Sequence, residues 1–199
     1  PAVPDETITE GDALLSIETA TLTGSAQDDT FDVSGWSAGA LTVNGNGGSD
    51  TLISRAPEAG TLTLTNTGIS FTGTSGSSAA SLTFNAIAVV YLYGTDGDDV
   101  LDASAFTGAA ALVAGAGNDV LTGGAARDNF VFSSSDGQDK ITDFKKNQDI
   151  IDLRPTDIVW GDLDSNNNNK LDDGDAFVAV SHGDTYIDLG AADGGASGV

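Results

Sequence analysis

The chain has 199 residues, enough for one domain with a sizeable core or one domain and a small appendage. It carries 30 acidic residues against 7 basic ones, for a formal net charge of −23, and 26 of the acids are Asp. Seven scattered bases cannot form the basic stripe that nucleic acid requires, and the anionic face of a membrane would repel the chain. Because there is no Cys and one His, disulfides, thiolate chemistry and most His-based catalytic or zinc sites are excluded.

The longest apolar run, residues 86–93, is far shorter than the ~20 residues of a spanning helix, so we expect no membrane insertion. No basic segment followed by an apolar stretch marks a signal peptide, and the start at Pro1 favours a fragment or processed product of a longer protein. Asp combined with 26 Gly is typical of tight turns, oxygen ligands or both. Since self-repulsion at −23 opposes compaction, we expect a hard divalent cation to accompany the folded chain.

The first feature along the chain is a duplicated unit of about 35 residues, present at 17–52 and again at 87–121. The copies align at an offset of 70, which matches Gly24 with Gly94 and the pair Asp28-Asp29 with Asp98-Asp99. After one deletion, GSDTL of the first copy meets GNDVL of the second.

A shorter pattern runs through this unit and beyond it: a Gly-rich turn, an Asp, one further residue and a large apolar one. The clear copies are GNGGSDTLI from Gly45, GTDGDDVLD from Gly94, AGAGNDVLT from Ala114 and GGAARDNFV from Gly123, and weaker copies start at Gly24 and Ser134. Gly permits positive φ, so that backbone carbonyls can point at a shared position where the Asp adds a carboxylate. The acids Asp99, Asp119 and Asp139 lie 20 residues apart, a spacing that suits a chain returning to the same side after each coil.

These nonapeptides resemble the Gly-Gly-x-Gly-x-Asp-x-apolar-x repeat of repeats-in-toxin (RTX, hemolysin-type) proteins. The resemblance implies an all-β chain, a parallel β-roll or β-helix solenoid of short strands whose turns bind Ca²⁺ between backbone carbonyls and Asp side chains. The residues it implies at the metal are Gly45, Gly47, Asp50, Gly94, Asp96, Gly97, Asp99, Gly115, Gly117, Asp119, Gly123, Asp128 and Asp139. The alternative for each turn is ordinary β-turn chemistry with a solvated Asp, and Asp98-Asp99 as an acid/base pair is explained better by the repeat.

Two departures from the repeat carry expectations. Ala126 replaces the fourth-position Gly, so it must keep negative φ, and we expect a weakened or empty site there. Asn46 replaces Gly more safely, because Asn tolerates left-handed geometry.

Residues 61–92 lack the Gly-Asp pattern and alternate with period two, which predicts strands that lengthen the walls or form a hairpin. Residues 141–153 look like the segment that closes the repeats in RTX proteases and lipases, with Asn147 where Gly is usual. Phe144, Ile150, Ile151 and Leu153 are predicted to form a C-terminal β cap over the last coil. Helical turns are predicted only within 4–15 and 154–158.

Residues 164–175, DSNNNNKLDDGD, fit the EF-hand calcium loop in one register. Asp164, Asn166 and Asn168 take positions one, three and five, the carbonyl of Lys170 position seven, Asp172 position nine and Asp175 position twelve. A register from Asp162 fits worse because it puts Asn169 at the apolar position. The flanks favour strand, at least on the C-terminal side, and the alternative for the segment is an Asn-rich flexible linker.

The organisation we expect is an RTX-type roll over 1–153 and a cap with the EF-hand-like loop over 154–199. The resemblance implies a non-catalytic, secreted or cell-surface module that folds on binding roughly three to five calcium ions. Such a module belongs to a larger bacterial protein exported by a type I secretion apparatus. The alternatives are a calcium-rigidified adhesin or surface-layer module that contacts surface glycan, the C-terminal region of a secreted hydrolase or epimerase, and an enzyme in its own right.

Overall fold

A computed structural model describes residues 19–36, 39–76, 81–133, 137–156, 158–168, 174, 176, 178–181 and 184–187. Within these residues the chain is almost entirely β-structure, with a single short helix. The strands are β1 (Thr19–Thr23), β2 (Thr30–Asp32), β3 (Ala40–Asn44), β4 (Thr51–Arg55), β5 (Gly60–Thr65), β6 (Gly68–Gly73), β7 (Ser81–Asn85), β8 (Val89–Tyr93), β9 (Val100–Ala105), β10 (Ala109–Val113), β11 (Val120–Thr122), β12 (Asn129–Val131), β13 (Lys140–Ile141), β14 (Ile150–Asp152), β15 (Val178–Ser181) and β16 (Asp184–Ile187), and the helix is α1 (Trp160–Leu163).

The strands up to β14 form two sheets, and the chain passes back and forth between them. The eight-stranded sheet has the order β1-β3-β7-β6-β5-β9-β11-β13, and the six-stranded sheet has the order β14-β12-β10-β8-β4-β2. Neighbouring strands are parallel throughout the six-stranded sheet. In the eight-stranded sheet only the pairs β5–β6 and β6–β7 are antiparallel. The chain is therefore all-β with largely parallel sheets.

The core lies between the two sheets because each strand turns alternate side chains inward. In β3, Leu41 and Val43 are buried while Thr42 between them is not, and they pair in register with Leu82 and Phe84 of β7. One apolar cluster joins inward residues of both sheets, such as Leu101 of β9 and Leu112 of β10. Each fully buried Leu contributes about 1.5–3 kcal/mol relative to an exposed one.

The alternating segment without Gly-Asp turns forms strands, as predicted. β5 and β7 extend the eight-stranded sheet, and β6 lies between them as the antiparallel partner of both. This segment therefore combines the two predicted alternatives, a longer wall and a hairpin. β8, which completes it, belongs to the opposite sheet.

The two copies of the duplicated unit each alternate between both sheets, but they begin in opposite ones. The first copy opens with β1 in the eight-stranded sheet, and the second opens with β8 in the six-stranded sheet. The turns after β1 and β8 consequently lie at opposite edges of the structure, although their sequences match at Gly24 and Gly94.

Two rows of turns connect the sheets. The first edge is where the chain leaves the eight-stranded sheet, and the second edge is where it leaves the six-stranded sheet. The first edge contains residues 24–29, 45–50, 86–88, 106–108, 123–128 and 142–149, and the second contains 33–36, 39, 56–59, 94–99, 114–119, 132–133 and 137–139. Because parallel strands end at the same side of a sheet, turns that are far apart in sequence become neighbours along each edge.

The C-terminal end of the sheets differs from the predicted cap. Phe144 packs its ring against the buried Phe130, with centroids 6.3 Å apart, but remains 44% exposed, and Ile150 and Ile151 are each 38% exposed, so these three side chains cover the end of the sheets only in part. Leu153 does pack against the core from a partly buried position. In β14 the buried residue is Asp152. It does not face the core: Ile151 pairs with the inward Phe130 of β12, so Asp152 lies on the outer face of the sheet, where the side chains of Asn129 and Arg154 bond to it.

The helical turn lies at Trp160–Leu163, not within 154–158 as predicted. Asp162 explains the difference, since its Oδ2 accepts the Val159 N–H at 2.8 Å and so caps the first turn of α1. On the other side of the Asn-rich loop, β15 and β16 form the predicted strand structure as an antiparallel pair. The predicted helical turn within 4–15 lies outside the described residues.

The buried Asp152 makes the stability of this end depend on pH. The Arg154 side chain, donating to both carboxylate oxygens, holds the pKa of Asp152 well below its ordinary value of 3.8. A depressed pKa contributes stability that is present above 3.8 and is lost as the pH falls through the folded-state value. We expect Asp152→Asn to abolish this contribution, so that the wild type loses more unfolding free energy than the variant between about pH 5 and about pH 2. Urea unfolding across that range would show it, and equal losses in the two proteins would contradict it.

Candidate metal centre

Along the second edge, the turn-closing aspartates form a continuous row. Each carboxylate accepts the backbone N–H of the preceding turn through Oδ1: Asp99 from Gly60 at 2.7 Å, Asp119 from Asp99 at 2.7 Å and Asp139 from Asp119 at 2.9 Å. The spacing of 20 residues predicted that these three acids return to one side of the molecule, and the structure places them there in register.

The first edge carries the same kind of row in two parts. Asp50 Oδ1 accepts the Asp29 N–H at 2.8 Å. Further along, Asp128 Oδ1 accepts the Ala110 N–H at 2.9 Å, and Asp149 Oδ1 accepts the Asp128 N–H at 3.1 Å. Between the two parts lie the turns 86–88 and 106–108, which have no closing Asp.

Five of the closing aspartates are buried although each is an acid, whereas Asp29 and Asp139 are partly exposed. Asp50 and Asp128 are 0% exposed, Asp119 is 1%, Asp99 is 2% and Asp149 is 8%. Neighbouring strands lie ~4.8 Å apart, so adjacent ionised carboxylates repel by on the order of 3 kcal/mol at an effective dielectric constant of about 20. The backbone N–H donors offset part of the desolvation, but they carry no net charge. These rows therefore favour bound cations.

The turns fall into two conformations, and the first can be called closed. In a closed turn the N–H four residues before the closing Asp donates to its Oδ2. This bond joins Ser25 to Asp29 at 2.6 Å, Thr95 to Asp99 at 2.7 Å, Gly124 to Asp128 at 2.6 Å and Lys145 to Asp149 at 2.8 Å. Both carboxylate oxygens of Asp99, Asp128 and Asp149 thus accept backbone N–H groups.

The second conformation, which we call open, occurs in the turns 45–50 and 114–119. Its second and fourth residues both have left-handed φ: 75° at Asn46 and 103° at Gly48, and 101° at Gly115 and 115° at Gly117. Left-handed φ reverses the direction of a peptide group, so the second N–H of the turn no longer faces the closing Asp. In the first open turn the Asn46 N–H donates to Asn44 Oδ1 at 3.1 Å instead.

The open turn 45–50 leaves a carboxylate oxygen facing another oxygen. Asp50 Oδ2 is buried and has no hydrogen-bond partner. A Cβ placed on Gly45 would lie 2.2 Å from Asp50 Oδ2 and 2.1 Å from the Ala86 carbonyl oxygen, so the two oxygens are at most 4.3 Å apart (2.2 + 2.1). A buried carboxylate oxygen at this separation from a carbonyl oxygen is stabilised by a cation between or beside the two. Donor chemistry and geometry here fit a hard ion such as Ca²⁺.

The predicted turn residues divide unequally between these arrangements. Asp50, Asp99, Asp119, Asp128 and Asp139 all lie in the carboxylate rows. Asp96, by contrast, is exposed and outside them. Gly115 and Gly117 have the expected left-handed φ, whereas Gly45, Gly47, Gly94, Gly97 and Gly123 do not.

For most of these glycines the requirement is close approach, and the expected positive φ is wrong. A Cβ on Gly94 would lie 2.1 Å from the Ala114 carbonyl oxygen, and one on Gly123 would lie 2.6 Å from Asp128 Oδ2. The backbone expectations for two substituted positions hold: Ala126 is not left-handed, while Asn46 is. Asn147, which stands where Gly is usual, is left-handed too. Gly48 also has a left-handed φ but was not among the predicted turn residues. Its fourth position in GNGGSD, where the repeat has Gly, could have indicated it.

In the EF-hand-like loop, only the first half lies within the described residues. The N–H of Asn168 donates to Asp164 Oδ1 and to Asn166 Oδ1, each at 3.0 Å, so these two side-chain oxygens converge on one side of the loop. Asp164 is buried, and its Oδ2 accepts from the Trp160 indole at 3.1 Å. The remaining predicted ligands, Lys170, Asp172 and Asp175, lie outside the described residues.

Within the described part of the chain, no group of three or more Asp, Glu, His or Cys side chains converges closely enough to hold a metal ion on side chains alone. Any ion at the edges must therefore combine carboxylate and backbone carbonyl oxygens. The same part of the chain contains no helix long and apolar enough to cross a bilayer. No protein-family model matches the sequence, and no curated protein matches it significantly.

Proposed function

We propose that this chain is a non-catalytic calcium-binding module of the RTX kind that folds when Ca²⁺ bridges its stacked turns. The observation that carries the proposal is the row of buried, turn-closing aspartates on both edges of a chain with a net charge of −23. On the first edge Asp50 also faces the Ala86 carbonyl oxygen, and carboxylate and carbonyl oxygens are the donors that Ca²⁺ prefers.

The architecture we propose is a parallel β-roll whose walls are the two sheets. Strands that alternate between two sheets, with parallel neighbours in each, support successive coils stacked along one axis. The stacking explains why an Asp at a fixed place in each nonapeptide recurs next to the same residue of the coil before it. We also propose that residues 154–199 close the end of this roll.

The turn pairs best suited to hold ions are those that include an open turn. On the first edge these are 24–29 and 45–50, with Asp50 and the Gly45 and Ala86 backbone nearby. On the second edge they are 94–99 and 114–119, where the chain makes the left-handed turns at Gly115 and Gly117. With the next turn of the second edge and the EF-hand-like loop, the proposal accommodates the three to five ions expected from the sequence.

Binding and folding are coupled in this proposal because the same carboxylates oppose one and favour the other. Without cations, the buried acids repel one another and the chain as a whole resists compaction. Each Ca²⁺ neutralises carboxylates and fixes a turn, so its binding free energy becomes folding free energy. Such a module suits calcium-rich surroundings outside the cell, as part of a larger protein exported by type I secretion.

Far-UV circular dichroism with and without calcium tests the proposal. We expect a β-sheet spectrum in millimolar CaCl₂ and a largely unordered spectrum after chelation, with full recovery when calcium returns. Equimolar MgCl₂ serves as the control and should not replace calcium, because Mg²⁺ demands a smaller and more regular shell. An identical β-sheet spectrum in chelator and in calcium would overturn the proposal.

A further inference from the structure

The last pair of turns on the first edge, 123–128 and 142–149, is built differently from the others. The Lys145 side chain reaches back from the second of these turns to the first. Its Nζ donates to the Gly124 carbonyl oxygen at 2.8 Å and to Asp143 Oδ2 at 3.1 Å. An ammonium group thus meets one carbonyl and one carboxylate oxygen between two stacked turns, a combination that elsewhere on the edges suits a metal ion.

Other carbonyl groups of the turn 123–128 are also occupied. The Gln148 side-chain amide donates through Nε2 to the Ala125 oxygen at 2.9 Å and to the Ala126 oxygen at 2.5 Å. Three successive carbonyl groups, from residues 124 to 126, therefore accept hydrogen bonds from side chains of the following turn. Each of these carbonyl oxygens has already committed one of its two lone pairs, which leaves it less available to a cation.

The carboxylates of this pair are occupied as well. Asp128 and Asp149 each accept backbone N–H groups on both oxygens, unlike Asp50 in the open turn. Burial raises the pKa of Asp128 and the Asp149 carboxylate raises it further, whereas the Lys145 charge lowers it. The ammonium group itself pairs with Asp143, and its charge is the weakest of these influences on Asp128.

We propose that the Lys145 ammonium takes the place of a metal ion between the turns 123–128 and 142–149, so that this pair closes without calcium. Gly123 and Asp128, which the repeat pattern assigns to calcium, then belong to a closure made by the protein itself. This proposal rests on the proposed function in one respect only: the contrast requires that the other turn pairs bind calcium. It also accounts for Ala126: a pair that holds no ion does not need a left-handed glycine at that position.

The test compares Lys145→Met with Lys146→Met in saturating calcium. Both variants remove one lysine charge, but Lys146 is exposed and adjacent, which makes it the matched control. Two quantities are measured on each protein: the urea midpoint of unfolding and the number of calcium ions bound at equilibrium. We expect the midpoint of Lys145→Met to fall by roughly 0.5 M, with little change in Lys146→Met and no loss of bound calcium in either.

Two results would overturn the proposal. One is a Lys145→Met protein as stable as Lys146→Met, and the other is a Lys145→Met protein that binds fewer calcium ions than the wild type. A variant that binds one additional ion supports it, because the ion then occupies the position of the missing ammonium. If no protein in the series binds calcium, the proposed function fails, and the urea comparison in plain buffer still decides the role of Lys145.

Discussion

Replacing Gly115 by Ala should destabilise the folded chain by about 3 kcal/mol or more. Gly115 has φ of 101°, which an L residue with a Cβ adopts only with strain. Its Cβ would also lie 2.0 Å from the Thr95 carbonyl oxygen of the adjacent turn, a rigid backbone atom that cannot move aside alone. Urea unfolding in saturating calcium measures the loss.

Gly35→Ala is the matched control for this prediction. A Cβ at Gly35 would meet nothing within 4 Å, and its φ is not left-handed. We expect a change of less than about 1 kcal/mol, of either sign, since Ala also reduces the freedom of the unfolded chain. Equal losses in the two variants would show that the stacked turns do not impose the predicted close approach.

The second large effect is expected from Asp50→Asn, which should reduce the dependence of folding on calcium. Because Oδ1 accepts the Asp29 N–H, the introduced amide nitrogen takes the position of Oδ2, where it can donate to the Ala86 carbonyl oxygen. A pair of opposed acceptors becomes a hydrogen bond, which relieves about 1–3 kcal/mol in the calcium-free chain. A cation ligand is lost at the same time, so folding should take up about one ion fewer.

Calcium titrations followed by circular dichroism measure both parts of this prediction, with Asp28→Asn as control. Asp28 lies in the adjacent turn, carries the same charge and is exposed; its Oδ1 accepts the Ser49 N–H at 2.7 Å, which an Asn side chain preserves. We expect the Asp50 variant to show more β-structure in chelator and a shallower calcium dependence than the control. Indistinguishable titrations would mean that net charge, not the open turn, governs the response.

The sequence predicted the placement of the acids better than their environment. The repeat spacing was sufficient to predict that Asp99, Asp119 and Asp139 lie in one row. A repeat that returns every 20 residues fixes which side chains become neighbours. Alternating residues were likewise sufficient for the strands of 61–92. Both inferences depend only on regular geometry, which a pattern encodes directly.

The conformation of each turn could not be predicted in the same way. GTDGDD at 94–99 resembles the repeat as closely as AGAGND at 114–119, yet only the second has left-handed residues at its second and fourth positions. Thr95 is β-branched and disfavours left-handed φ, so its N–H stays directed at Asp99 and the turn closes. Gly124 holds the same position in the closed turn 123–128, where the fourth residue, Ala126, is not left-handed, so the second residue alone does not decide the conformation.

Contacts between neighbouring turns of an edge were the hardest to predict from the sequence. Lys145 and Lys146 are adjacent and chemically identical, and only the stacking of two turns brings the first to the Gly124 carbonyl oxygen. The cap prediction was wrong for Ile150 and Ile151, which stay exposed, while Phe144 contacts one core ring, that of Phe130. How far an apolar side chain at the end of a sheet is buried depends on what covers it, which composition does not show.

Anomalous X-ray scattering from crystals grown in calcium is the most direct measurement of whether divalent ions join the coils. The account predicts peaks between the turns 24–29 and 45–50 and between 94–99 and 114–119, with carboxylate oxygens of Asp50 and Asp119 among the ligands, and no peak beside Lys145. Electron density of ordinary water, without anomalous signal, between both pairs of turns would contradict it.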